Sequence, residues 1–224
     1  EEVVSGSNFA LIDPFIGSEI FSYTNNFLIF GLEYVDSMRW YELYAYNGTD
    51  INLIQDLYSG PSSGYDRSDF LEFNNEVYFI GNNGTTGFEL FKTNGSHISL
   101  VSDINIGFSD SNPRNFYVYE NELLFTATNS TIGRELFKSN GTHTELVANL
   151  NGNSSDSFPF FSGLGPNPDR IYQNFNSRLL IGSIDALYEY DGNSITKITN
   201  PTIDSIFNIS YVSNVEIHNG KAYF

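Results

Sequence analysis

The residues through which this chain could do chemistry are three histidines, a set of recurring glutamates and a wealth of asparagines. His97 and His143 each follow an Asn-Gly-Ser/Thr turn in successive copies of one phrase, and His218 stands beside a different turn. Equivalent positions in neighbouring repeats cannot share a metal at coordination distances of about 2 Å, so no zinc-like set results. Glu42, Glu89 and Glu135 also share one repeated position. That marks them as hydrogen-bonding groups of a repeated fold, with no catalytic role. No HExxH, GxSxG or phosphate-loop string occurs, which leaves zinc hydrolase, serine hydrolase and nucleotide readings without support. A glycosidase needs two carboxylates roughly 5–9.5 Å apart across the scissile bond. Glu72, Glu120 and Glu216, near the ends of candidate inner strands, are the candidates, and no motif unites them.

Oxygen ligands are more plentiful. The stretch NLNGNSSDS places Asn149, Asn151, Asn153 and Asp156 close together, the hard-oxygen chemistry of a weak calcium site. It lacks the dense carboxylates and bidentate glutamate of a tight one. Calcium is therefore the one metal or cofactor with any sequence support. Asn47, Asn83, Asn94, Asn129, Asn140, Asn153 and Asn208 each open an Asn-x-Ser/Thr sequon. All seven fall in expected turns or loops, where a glycan can be accommodated, and they are candidate N-glycosylation sites.

These residues sit in a repeat. ELYAYNGT begins at Glu42, ELFKTNGS at Glu89, ELFKSNGT at Glu135 and the degenerate ALYEYDGN at Ala186. Upstream of each stands an apolar phrase (NNFLIF, NNEVYF, ENELLF, FNSRLLI), and downstream another (NLIQDL, SLVSDI, ELVANL, TKITNP). Each unit thus offers four short strands. The Asn-Gly pairs predict type I′ hairpin turns, which need positive φ at both central residues. Phrases such as VYFI and LLFT are apolar without alternation, which predicts strands covered on both faces.

Four-stranded units of this length predict an all-β chain: a five-bladed β-propeller of antiparallel blades, forming one domain over residues 1–224. Blades are expected at about 19–57, 68–105, 114–150 and 170–198. The last is built from 211–224 plus 1–15, because NVEIHNGKAYF matches strands one and two and EEVVSGSNFALIDPFIGS matches strands three and four. Closure of this kind removes exposed sheet edges. The same terminal strands could instead complete a neighbouring molecule, a route to self-assembly by strand addition.

The net charge of −17 over 224 residues predicts no nucleic-acid partner and no attraction to anionic membrane. No apolar run approaches the roughly 20 residues that span a bilayer, so no membrane insertion is expected. Cysteine is absent, so the core must hold without disulfides. The chain opens on EEVV without methionine, the mark of a processed product or an excised fragment.

In GFELFKTNGS, LVSDINIGFSDSNP and NELLFTAT the units resemble the ELWxxDGT repeats, hyalin-like, of large bacterial surface proteins. Phe or Tyr stands here for the Trp, and Asn for the Asp in three of four turns. The resemblance implies an extracellular or cell-surface protein with no established activity. The expected function is a structural or interaction propeller, a possible unit of a surface array or filament. Its partners would be other protein subunits or surface glycans. A glycan-binding lectin is the alternative, and a glycoside hydrolase the third reading.

Overall fold

The computed structural model describes the backbone of residues 20–23, 26–35, 38–158, 171–183, 186–198, 216–218 and 221–223. Side chains are described for residues 41–66, 70–158, 171–183 and 186–198. The first sheet holds β1 (Ile20–Tyr23), β2 (Asn26–Val35), β3 (Met38–Tyr46) and β4 (Ile51–Gln55). The second holds β5 (Tyr65–Phe73), β6 (Glu76–Asn82), β7 (Phe88–Thr93) and β8 (Ile98–Ser102). The third holds β9 (Arg114–Tyr119), β10 (Glu122–Asn129), β11 (Gly133–Ser139) and β12 (Thr144–Ala148). The fourth holds β13 (Tyr172–Phe175), β14 (Arg178–Gly182), β15 (Leu187–Tyr190) and β16 (Ile195–Ile198). Every sheet is an antiparallel meander in sequence order. β17 (Glu216–His218) and β18 (Lys221–Tyr223) pair as a two-stranded sheet. Residues 1–15, expected to complete that sheet, lie outside the described residues.

The core lies between sheets, and the second strand of each unit shows why. On β6, Val77 and Phe79 pack toward the first sheet, Phe79 in a cluster with Leu43 and Leu57. Its alternate residues Tyr78 and Ile80 pack against Phe116, Leu123 and Phe125 of the third. On β10, Leu123, Phe125 and Ala127 face the second sheet, while Leu124 joins Tyr172, Leu179 and Ile181 of the fourth. A strand sandwiched on both faces has no polar side to show, hence the unbroken apolar phrases. Each such Leu or Phe contributes about 1.5–3 kcal/mol by leaving water. Successive sheets stacked in this way are the blades of a propeller-like fold.

The turn expectation is corrected. In the Asn-Gly turns only the glycine has positive φ, as at Gly48, Gly95 and Gly141. Register pairs Thr93 with Ile98 and Tyr46 with Ile51, so these loops hold four residues. Their asparagine acts through its side chain: Asn94 Oδ1 accepts from the amides of Ser96 and His97, both at 3.0 Å. Asn47, Asn140 and Asp191 repeat the pattern. The two-residue turns with positive φ at both positions join strands one and two instead: Asn74-Asn75, Glu120-Asn121 and Asn176-Ser177. Asparagine tolerates that conformation, and the tight twist of these inner hairpins demands it.

Charged pairs brace strands two and three at one register. Lys92 meets Glu76 at 2.6 Å, Lys138 meets Glu122 at 3.0 Å, and in the fourth sheet the signs reverse, Arg178 meeting Glu189 at 3.0 Å. Lys92 also donates to the Gly141 carbonyl at 3.0 Å, tying the second blade to a turn of the third.

Candidate interaction face

Strand direction alternates within a blade, so the one-to-two and three-to-four turns share one face. The two-to-three loops and the blade-to-blade connections share the other. The recurring glutamates build this second face. Glu89, at the start of β7, accepts from the amides of Ile104 (2.9 Å), Asn105 (3.3 Å) and Ser111 (3.0 Å), and from the Ser111 hydroxyl (2.5 Å). Glu135 holds the amide of Leu150 (3.2 Å) and the hydroxyl of Ser157 (2.7 Å). Glu42 holds the amides of Leu57 (3.3 Å) and Gly64 (3.1 Å). One carboxylate thus ties down the chain about 15 and 22 residues further on, where the next blade begins. Burial pushes the Glu89 carboxyl up to about 7, against the lowering effect of its donors. Burial raises Glu135 as well.

A second clamp lies beside the first. Asp110 Oδ1 accepts from the Phe88 amide and Asp156 Oδ1 from the Arg134 amide, each at 2.8 Å. The repeated glutamates are hydrogen-bonding groups of the fold, as their shared position predicts. Their targets lie outside that reading; the 22-residue step from Glu89 to Ser111 and from Glu135 to Ser157 recurs in the sequence but gains meaning only from the blade packing. Arg134 lies outside that reading too. It is 1% exposed and donates to backbone carbonyls of Ser111, Asn112 and Thr126.

Among the described connections, the one between β8 and β9 is the most densely held. The Gly107 amide donates to Asp103 Oδ2 at 3.2 Å, Asn105 Nδ2 to the Asp110 carbonyl at 3.1 Å, and the Ser130 amide to Asn105 Oδ1 at 3.0 Å. At its tip Ile106 and Phe108 are 86% and 82% exposed. The equivalent tips carry Ser59 and Pro61 in one neighbouring connection and Gly152 and Ser154 in the other.

The remaining candidates fall as follows. In the stretch 149–156 the oxygens named for calcium serve the loop itself. Asn149 Oδ1 accepts from the Gly152 amide at 2.8 Å, Asn151 Oδ1 from Asn153 at 3.0 Å, and Asn153 Oδ1 from Ser155 at 2.7 Å. No group of three or more acidic or histidine side chains is placed to hold a metal among the described residues. Asn47, Asn94 and Asn140 are exposed in their turns, and Asn83 lies in the β6–β7 loop. Asn129 differs: it ends β10, and its Nδ2 donates to the Ile104 carbonyl at 2.7 Å. That bond to the neighbouring blade sets Asn129 apart from Asn83, which occupies the same place in the repeat. Asn208 lies outside the described residues. His97 and His143 occupy separate exposed turns, His143 3.7 Å from Glu145.

Of the inner-strand glutamates, Glu72 lies on β5, Glu120 in the turn after β9 and Glu216 on β17. Register makes Glu72, Val118 and Asn174 equivalent, each facing the second residue of its blade's second strand. That row supplies a single carboxylate among the described side chains.

No family model matches the sequence, and no curated protein matches it. Among solved structures the chain is similar to the acylaminoacyl peptidase of Pyrococcus horikoshii, at 11% identity and a TM-score of 0.49, over 85% of this chain and 28% of that one. It is similar to the β-propeller domain of the trilobed protease of Pyrococcus furiosus, at 9% identity and a TM-score of 0.44, over 82% and 55% of the two chains. It is also similar to an α-L-arabinofuranosidase of Clostridium thermocellum, at 10% identity and a TM-score of 0.39, over 87% and 75%. The chain spans less than two thirds of the first two.

Proposed function

We propose that this chain is an extracellular or cell-surface interaction propeller, serving as a unit of a larger surface assembly. In this reading five blades close into a ring through residues 211–224 and 1–15. The observation that carries it is the connection between β8 and β9. A loop fixed by the buried Glu89 and the exposed Asp110 presents Ile106 and Phe108 to solvent, and the fold needs neither for its core. Large apolar side chains held rigid and bare are what protein contacts use as anchors. The repeat resemblance, the acidity and the recurring sequons support the surface location.

A lectin built on repeated pockets would repeat its pocket residues. The three described connections differ at their tips, from Ser59 and Pro61 to Ile106 and Phe108 to Gly152 and Ser154. A glycosidase would need a second carboxylate beside Glu72 on the inner strands. The test is a glycan array run with and without calcium, beside protease shaving of intact source cells. The interaction reading expects no sugar ligand and shaved fragments of this chain. A defined oligosaccharide ligand would transfer the function to the lectin class.

A further inference from the structure

We propose that the loop face docks onto a protein surface that is apolar at its centre and ringed by lysine and arginine, with Ile106 and Phe108 entering that centre. This rests on the interaction reading above and names the chemistry of the partner. The apolar half of the inference follows from the tip. Its backbone is held on both flanks by Glu89, Asp103, Asn105 and Asp110, so the two side chains stand preformed and little ordering is lost on contact. Neighbouring connections at the same register carry small or polar residues. Among the three described connections the apolar pair is therefore peculiar to this loop and no requirement of the repeat.

The charged half follows from how the molecule divides its ions. The described segments of the loop face (56–64, 82–87, 103–113, 129–132 and 149–158) contain Asp56, Asp103, Asp110 and Asp156 and no lysine, arginine or histidine. Among the described side chains, two arginines stand at strand starts beneath these loops, and both turn inward; the side chains of Arg39 on β3 and Arg67 on β5 lie outside the described residues. Arg134 is buried on carbonyls, and Arg114 pairs with Asp66 at 3.0 Å. Lys92, His97, Lys138, His143 and Arg178 all lie at or next to turns of the opposite face. Described loops of one sign around a bare apolar tip select a partner of the other sign and repel polyanions. Nucleic acid and anionic lipid are disfavoured on that ground. A sugar would leave Ile106 without a matching surface.

The test places p-benzoylphenylalanine at Phe108, and separately at Leu53 on the outer strand and at Asn94 on the turn face. The full-length protein is irradiated in its source cells, and the cross-linked segments are sequenced. The expected result is a protein adduct at position 108 whose segment mixes apolar residues with lysine or arginine. With that partner purified, Ile106→Ser/Phe108→Ser should weaken binding roughly thirtyfold. Asp110→Asn/Asp156→Asn, which keeps an acceptor oxygen on each amide, should weaken it less and flatten its salt dependence. Adducts at 53 or 94 with none at 108 would overturn this face and leave the interaction reading standing. An adduct at 108 to an acidic segment, a polysaccharide or a lipid would overturn the partner's chemistry. No protein adduct at any position would sink the interaction reading itself, and this inference with it.

Discussion

Glu89 satisfies three backbone amides and a hydroxyl with one side chain. Glu89→Ala should therefore cost about 2–4 kcal/mol, since it leaves buried donors without partners, and thermal unfolding would measure it. The same residue predicts a pH response. Its folded-state value of about 7 lies above the ordinary 4.5, so the folded protein takes up a proton before the unfolded chain does. Its contribution therefore favours folding progressively as pH falls from 7 to 4.5, and that gain is lost as pH rises back through 7. Melting temperatures at pH 5 and pH 8 should differ in that direction, and Glu89→Gln should remove a share of the difference. Ser177 offers a change of opposite sign. It stands at φ +60°, where a side chain is strained, and its contact to Tyr119 uses only its backbone carbonyl. Ser177→Gly should stabilise by about 0.5–1 kcal/mol. The repeated position of the glutamates was legible in the sequence. Their targets were not, because contacts 15 and 22 residues away exist only once two blades are placed side by side.

At the scale of the strand, the bracing pairs share geometry and differ in polarity. Glu122 and Lys138 in the third blade have the same register as Arg178 and Glu189 in the fourth, with the signs exchanged. Glu122→Lys or Lys138→Glu alone should lower the melting temperature, and the two together should recover part of the loss. A double-mutant cycle should return a coupling of roughly 0.5–1 kcal/mol. Glu145, which also meets Lys138 at 3.2 Å, limits that recovery. The strands themselves were legible from their apolar phrases and the spacing of the turns. The turn types were not. Asn-Gly predicts the tight hairpin, whereas Asn74-Asn75 and its equivalents take that conformation. Glycine alone supplies positive φ in the longer loops, and the asparagine caps two amides there, a role its pairing with glycine does not distinguish from the tighter turn.

For the whole molecule, the period of the repeat was enough to place four four-stranded sheets in order. The long loops pointed to their face as the place for contacts, but the period could not single out the tip, since Ile106 and Phe108 look like any other apolar pair until the loop is built. The proposed ring closure makes its own prediction. Deleting 211–224 should remove half of the last blade, lower the melting temperature and expose apolar surface to a hydrophobic dye. An unchanged melt would mean that those residues complete no blade in this molecule.

The glutamate clamp also sets how the chain meets a protease. Phe108 is the kind of residue chymotrypsin cuts beside, and it stands almost wholly in water. Cleavage, however, requires some ten residues of extended, pliable chain to enter the enzyme, and this loop is tethered at Ile104, Asn105 and Ser111. The scission rate should therefore follow how often Glu89 lets go, with accessibility of the bond counting for little. The most conspicuous loop would be slow to nick, and Glu89→Ala would turn it into the first place the chain is cut.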